Sequence, residues 1–245
     1  MGNVPIRDEI YVFESLNHLR YLNVRNCGIN GLKPSAQMTN LRYLNLHSNS
    51  KIQSIKALQN LTNIRTLILT NVSVANEIDS LENLSKLRYL NLRNTDLSEI
   101  SALSGLTDLE YLNLHSNPNI QSINPLKNLK ILRTLIIENV PVGNEIDILK
   151  NFPDLRKLNI RNCGIIDVSF FGELMAKGVL QDNPKVNIAA SVDIRDNLIT
   201  HSIDDQYAAI RPFWENISER QPVALPFFAA LGDPEFSQPS GFYGD

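Results

Sequence analysis

The stretch Leu87-Arg88-Tyr89-Leu90-Asn91-Leu92-Arg93-Asn94-Thr95-Asp96-Leu97, followed by Ile100, Leu103 and Leu106, decides the fold. Leu90 and Leu92, with Leu87 just before them, give a short strand one apolar face. Thr95 and Leu97 turn the chain inward. Ile100, Leu103 and Leu106 recur every third residue, which suits a 3₁₀ or irregular return arm better than an α-helix. A single coil of this kind cannot bury its own leucines; neighbours stacked on both sides bury them together.

The neighbours are in the sequence. The segment Leu-x-x-Leu-x-Leu, with Ile or Val allowed, starts at Leu19, Leu41, Ile64, Leu87, Leu109, Leu132 and Leu155, at spacings of 22, 23, 23, 22, 23 and 23 residues. Repeats of about 20–29 residues with this pattern are leucine-rich repeats. The fold class expected is an α/β solenoid, a horseshoe with a parallel concave β-sheet, 3₁₀ or irregular convex arms and a helical C-terminal cap.

A longer period lies over the short one. Shifted by 68 residues, Leu46-His47-Ser48-Asn49 returns as Leu114-His115-Ser116-Asn117, and Asn76-Glu77-Ile78-Asp79 as Asn144-Glu145-Ile146-Asp147. Arg25-Asn26-Cys27-Gly28-Ile29 returns two shifts later, at 161–165. A block of three repeats has been duplicated.

The regular pattern fades after Leu155. Ser169 reads as the N-cap of a short helix through Phe170, Phe171, Leu174 and Met175, ending near Gly178. Val192, Ile194, Asn197 and Ile199 fit one degenerate coil that follows an insertion. The solenoid is therefore expected over 1–200, as about seven regular repeats and one degenerate one. A C-terminal cap, rich in aromatics and proline, is expected over 201–230, with a helical turn or two from Asp204 to Ile210. Residues 231–245 read as a linker or the start of a following domain. Residues Met1 to Asn17 carry no obvious polar cap, and Ile10, Val12, Phe13 and Leu16 look like the tail of an earlier coil. Missing upstream coils, and end-to-end self-association through the exposed end, are expected on that ground.

The pattern Leu-x-x-Leu-x-Leu-x-x-Asn-x-Ile in short repeats resembles the bacterial internalin-like leucine-rich-repeat proteins, over Leu19 to Ile199. The sequence departs from it at the asparagine: Asn49, Asn117 and Asn197 keep it, while Cys27, Val72, Thr95, Val140 and Cys163 replace it. Further on, Ile210-Arg211-Pro212-Phe213-Trp214-Glu215-Asn216-Ile217 and Pro234-Glu235-Phe236-Ser237-Gln238-Pro239-Ser240-Gly241-Phe242-Tyr243 resemble the joins in CotH-type multidomain surface proteins, where such a stretch opens a small β-sandwich. The resemblance implies a binding module within a larger bacterial surface or secreted protein.

Charge and composition set bounds. The 245 residues carry a net charge of -3 and 20% charged residues, a balance that points away from nucleic acid. No apolar run approaches the ~18 residues of a membrane span. The opening Met1-Gly2-Asn3-Val4-Pro5 has no basic region followed by an apolar one. The expected location is extracellular or cell-surface, with the signal elsewhere, and cytoplasmic is the other reading.

Chemistry is not expected. Cys27 and Cys163 share one slot six strand steps apart, about 29 Å, too far for a disulfide; both read as inward-pointing filler. His47 and His115 lie about 14 Å apart and cannot share a metal ion. No Gly-x-Ser-x-Gly and no phosphate-binding glycine loop occurs. Glu77 with Asp79, and their copies Glu145 with Asp147, read as solvated turns. No metal, no cofactor and no catalytic residue is expected.

The variable residues of each strand face outward and form rows. The third position reads Tyr21, Tyr43, Thr66, Tyr89, Tyr111, Thr134, Lys157; the fifth Asn23, Asn45, Ile68, Asn91, Asn113, Ile136, Asn159; the seventh Arg25, His47, Thr70, Arg93, His115, Glu138, Arg161. The second adds Arg20, Arg42, Arg65, Arg88, Arg133 and Arg156, with Glu110 the exception. Ladders of this kind can simply hold the sheet together by stacking and hydrogen bonding. Tyrosine and arginine are also favoured anchors in protein interfaces. On the second reading Tyr21, Asn23, Arg25, Tyr43, Asn45, His47, Tyr89, Asn91, Arg93, Tyr111, Asn113, His115 and Arg161 bind a ligand. A protein partner is the first expectation. A glycan or polyanion, or service as the targeting domain of a larger enzyme, is the alternative.

Overall fold

The structure, a computed structural model, describes residues 18–32, 37–75, 77–180 and 191–198. The expected upstream coil at 1–17, the cap at 201–230 and the linker at 231–245 lie outside the described residues, and so do both stretches that carry the multidomain resemblance.

Eight three-residue strands form one parallel sheet in chain order: β1 (Tyr21–Asn23), β2 (Tyr43–Asn45), β3 (Thr66–Ile68), β4 (Tyr89–Asn91), β5 (Tyr111–Asn113), β6 (Thr134–Ile136), β7 (Lys157–Asn159) and β8 (Ser191–Asp193). Each strand pairs in register with the next, so Tyr21 faces Tyr43, Leu22 faces Leu44 and Asn23 faces Asn45, and so on to Asn159 facing Asp193. Each strand is short because it spans one layer of the coil. Its middle leucine (valine in β8) points inward and is buried.

The chain leaves each strand through a left-handed residue. Asn26, Ser48, Asn71, Asn94, Ser116, Asn139 and Asn162 have φ between 51° and 59°. Asparagine tolerates this region better than most residues, and it fills most of these positions. The return arms follow the three-residue period read from the sequence. Segments Lys56–Asn60, Ile78–Leu81, Ser101–Gly105, Asn124–Asn128 and Gly143–Asn151 are 3₁₀. In the fourth coil Leu103 N–H donates to Ile100 O, Leu106 N–H to Leu103 O and Leu109 N–H to Leu106 O, at 3.0–3.1 Å. All four side chains are fully buried. With three residues per 3₁₀ turn, an apolar side chain at every third position always faces the core.

Glu77 and Glu145 have a place in these arms that a solvated turn does not describe. Glu77 Oε2 accepts the Ile55 N–H of the preceding coil at 2.6 Å, and Glu145 Oε2 accepts Ile123 N–H at 2.7 Å. Ser54 and Ser122 donate their hydroxyls to the same carboxylates. Each glutamate thus caps the start of its neighbour's 3₁₀ segment, one coil back. Asp79 is exposed, and Asp147 pairs with Lys150 at 3.0 Å.

The asparagine slot is used once in three coils, and each asparagine serves two. Asn117 Nδ2 donates to Leu92 O of the preceding coil and to Leu114 O of its own, both at 2.8 Å. Its Oδ1 accepts Thr95 N–H (3.1 Å) and Leu97 N–H (3.0 Å). Asn49 does the same for Val24, Leu46, Cys27 and Ile29. Asn197 repeats it for Ile160, Ile194, Cys163 and Ile165. The preceding coil's slot then needs only a small residue, and Cys27, Thr95 and Cys163 fill it. Cys163 is buried with Sγ 3.0 Å from Ile137 O, and burial pushes its thiol up to about 12; Cys27 is half-buried.

The short helix stands where the sequence put it, as α1 (Phe170–Ala176), and Gly178 follows with φ +75°. The Ser169 hydroxyl, expected to cap it, donates to Asp167 Oδ2 at 2.9 Å. Phe170 and Phe171 are buried against the last regular coils. Among the described residues no helix is long and apolar enough to cross a membrane.

Candidate binding surface

In-register pairing brings every third-position residue to one level of the sheet. Tyr21 and Tyr43 stack with ring centroids 4.2 Å apart, and Tyr89 and Tyr111 at 3.9 Å. Thr66 separates the two pairs, and Thr134 and Lys157 continue the row. Burial, with the neighbouring Tyr111, pushes the Tyr89 hydroxyl above its ordinary value; burial and Tyr21 do the same for Tyr43. Both hydroxyls are therefore donors at neutral pH.

The fifth-position asparagines have a structural duty. Each Oδ1 accepts the backbone N–H two residues on: Arg25 from Asn23 (3.2 Å), His47 from Asn45 (2.9 Å), Arg93 from Asn91 (3.1 Å), His115 from Asn113 (2.9 Å) and Arg161 from Asn159 (3.1 Å). This local bond lets asparagine close a strand end where no neighbouring carbonyl serves. Asn45 and Asn113 are buried, while Asn23 is exposed and Asn91 half-buried. What these residues can still offer a ligand is the amide nitrogen.

The seventh-position row carries the charge. Arg25 is exposed, and His47, Arg93 and Arg161 are half-buried. His115 is buried, and its Nδ1 lies 3.0 Å from Glu138 Oε2. Asn159 Nδ2 donates to the same oxygen at 2.9 Å. Burial alone raises the Glu138 carboxyl; His115, the Asn159 amide and Arg161 together outweigh that and hold it below the ordinary carboxylate value. His47 has the opposite surroundings. Burial and the charges of Arg25 and Arg93 lower its pKa.

Charge compensation is uneven along the sheet. Glu110 bridges Arg88 (3.4 Å) and Arg133 (3.2 Å). Arg161 pairs with Asp196, and Arg195 with the buried Asp193. On the first three strands the outward positions hold Arg20, Arg25, Arg42, Arg65 and His47 and no acidic residue. The outward positions read from the sequence included Arg88, Glu110, Arg133 and Arg161, but not Asp193, Arg195 or Asp196. These positions did not reveal that Glu138 and Asn159 form one cluster with His115; the signal available was the exchange of Thr70 for Glu138 at the 68-residue offset.

The geometry agrees with relatives of known structure. Leucine Rich repeats (2 copies) match residues 17–60 and 85–128, two windows that are themselves 68 residues apart. An internalin C2 from Listeria monocytogenes is 24% identical, with a TM-score of 0.62, over 85% of this chain and 74% of that one. The solenoid is a leucine-rich-repeat array, and its fold is similar to that of this internalin. An internalin, InlF, from the same organism is 25% identical, with a TM-score of 0.65, over 84% of this chain and 62% of that one. A Leptospira interrogans leucine-rich-repeat protein, 18% identical with a TM-score of 0.56, shares the fold over 82% of this chain. The chain spans 62% and 60% of the length of these last two. No curated protein matches this chain in sequence.

Proposed function

We propose that this internalin-like array is a non-catalytic module that binds a protein partner on its sheet face, as part of a bacterial surface or secreted protein. The observation that carries the reading is the meeting of stacked tyrosines with positive charge that no acidic residue of the first three strands offsets. Tyr21 and Tyr43 lie beside Arg25 and His47, and no carboxylate on those strands neutralises them. Tyrosine gives up little conformational freedom for the contact area it supplies, and tyrosine and arginine are enriched among the residues that dominate protein interface energetics. A sugar chain fits less well, because stacking turns one face of each tyrosine ring toward its neighbour rather than toward a ligand.

The test is site-specific photo-crosslinking. A crosslinker is placed at Thr66 on the sheet face and, separately, at Ser104 on the return arms, and the protein is exposed to purified candidate extracellular proteins. The expected result is a partner captured from Thr66 and not from Ser104. That capture is lost when Arg25, Arg93 and Arg161 are together changed to Glu in a variant that keeps its circular dichroism. Capture that ignores the charge reversal, or that occurs only from Ser104, overturns the proposal. Binding should also weaken with added salt, since exposed charges are screened beyond about 8–10 Å at physiological ionic strength.

A further inference from the structure

The two copies of the three-coil block present the same row on the sheet face with one exchange. The second copy runs Arg93, His115, Glu138, Arg161; the first runs Arg25, His47, Thr70, Arg93. Matching backbone bonds fix both rows at one level. Asn26, Ser48 and Asn71 donate to His47 O, Thr70 O and Arg93 O at 2.8–3.0 Å; Asn94, Ser116 and Asn139 donate to His115 O, Glu138 O and Arg161 O at 2.9–3.0 Å.

In the second copy the carboxylate of Glu138 lies between the His115 ring and the Asn159 amide. The first copy keeps both of those donors, as His47 and Asn91. Arg93 N–H holds Asn91 Oδ1 at 3.1 Å, just as Arg161 N–H holds Asn159 Oδ1 at 3.1 Å, so the two amides are oriented alike. The Asn91 amide also contacts the Tyr89 hydroxyl, and an amide nitrogen carries a second hydrogen for another acceptor. What the first copy lacks is the acceptor. Thr70 stands in the place of Glu138, too short to bring a carboxylate up to the ring, and is covered by its neighbours.

We propose that this row is a carboxylate-binding site. An acidic side chain of the protein partner enters over Thr70, between Arg25 and Arg93, and accepts hydrogen bonds from the His47 ring and the Asn91 amide. The chain itself supplies the template for this arrangement, with Glu138 as the internal counterpart of the partner's group. The inference rests on the protein-binding reading and names the chemistry of the contact. The charged groups that face His47 among the described residues are Arg25 from the first coil and Arg93 from the fourth; the third coil offers only Thr70. An arriving carboxylate offsets both guanidinium groups, so His47 takes up a proton as the partner binds.

The test uses the two histidines as site and control in one sample. Acetate is titrated into the full chain against chloride at constant ionic strength, and the ring resonances are followed by NMR as a function of pH. The expected result is a saturable rise of about one unit in the apparent pKa of His47, while the His115 resonances do not move because Glu138 already fills that place. Thr70→Glu, which copies the second row into the first, should raise the His47 pKa without acetate and abolish the response. The assignment is overturned if neither histidine responds, if both respond alike, or if Thr70→Glu still responds to acetate. A glutamate peptide and a galacturonate oligosaccharide of equal charge then distinguish the source. A response to the oligosaccharide at tenfold lower concentration than to the peptide overturns the assignment to a protein partner. Failure of the crosslinking experiment leaves the acetate response standing, and loss of the acetate response leaves a protein partner held by other contacts, so the two readings fail separately.

Discussion

The first three coils and the next three share one architecture inside and differ outside. Inside, Asn49 and Asn117 bind the same four backbone groups of their own and the preceding coil, and Glu77 and Glu145 cap the preceding 3₁₀ segment in the same way. On the sheet face, the second block pairs Arg88 and Arg133 with Glu110 and sets Glu138 against the His115 ring, and Asp196 beyond it pairs with Arg161. The first block leaves Arg20, Arg25, Arg42 and Arg65 without an acidic residue on the same strands. After duplication, the bonds that hold coil to coil stayed alike while the outward positions drifted apart. A solenoid permits this because each coil touches only its neighbours, so a surface can change locally without disturbing the stack.

The largest expected effect tests the shared interior. Asn117→Ala leaves the buried Thr95 and Leu97 N–H groups and Leu114 O without their partner, while Leu92 O keeps the Thr95 hydroxyl at 2.7 Å, and should cost about 3 kcal/mol. Asn49→Ala breaks the corresponding four backbone bonds, with Cys27 in place of Thr95 beside them, and should cost about the same. Urea unfolding of both variants checks this. A gap of more than about 1 kcal/mol between them would show that the two blocks are not energetically equivalent inside.

A smaller effect should appear where the interiors do differ. Gly143 in the second block corresponds to Ala75 in the first. A Cβ on Gly143 would lie 2.4 Å from Gly164 O and 2.7 Å from Ile165 N, both backbone atoms of the next coil. Those atoms can move only by parting two coils. Gly143→Ala should therefore cost about 2–3 kcal/mol, whereas Ala75→Gly should cost no more than about 1 kcal/mol, the ordinary entropic penalty of glycine. Thermal unfolding of the pair reads the contrast directly, and equal losses would remove the close approach as its cause.

This contrast also shows which parts of the molecule the sequence makes legible. The leucine spacing and the three-residue period of the arms follow from packing one apolar residue per turn, so strands, register and core could all be read from Leu87 to Leu109. The 68-residue repeat exposed the duplication. Capping by Glu77 and Glu145 escaped notice because it acts on the preceding coil, 22 residues back, where no local motif records it. The Glu138 cluster escaped for a related reason. His115, Glu138 and Asn159 come from three successive coils, and only the stacking brings them within 3.0 Å. The fifth-position asparagines read equally well as ladder or ligand, because the bond from each Oδ1 to its own backbone is conformational and leaves no separate mark in the pattern.

The smallest predicted effect bears on the difference outside. Glu138 has a folded-state pKa below its ordinary value of 4.5, because His115, Asn159 and Arg161 outweigh the effect of burial. A carboxyl shifted in this direction contributes stability that is fully present above its unfolded pKa and is lost as pH falls through the folded value. Glu138→Gln keeps the shape and an acceptor oxygen but removes the charge. At pH 7 it should cost about 1 kcal/mol, the share of a charge-assisted hydrogen bond that depends on charge. As the pH falls below 4.5 the wild-type carboxylate itself becomes protonated, and the two stability curves should converge. In the first block Thr70 supplies no such group, so Thr70→Val should show no matching pH-dependent gap over the same window. A Glu138→Gln deficit that stays constant from pH 7 down to acid would mean that the carboxylate contributes shape rather than charge, and the contrast between a compensated and an uncompensated half of the sheet would lose its best-defined case.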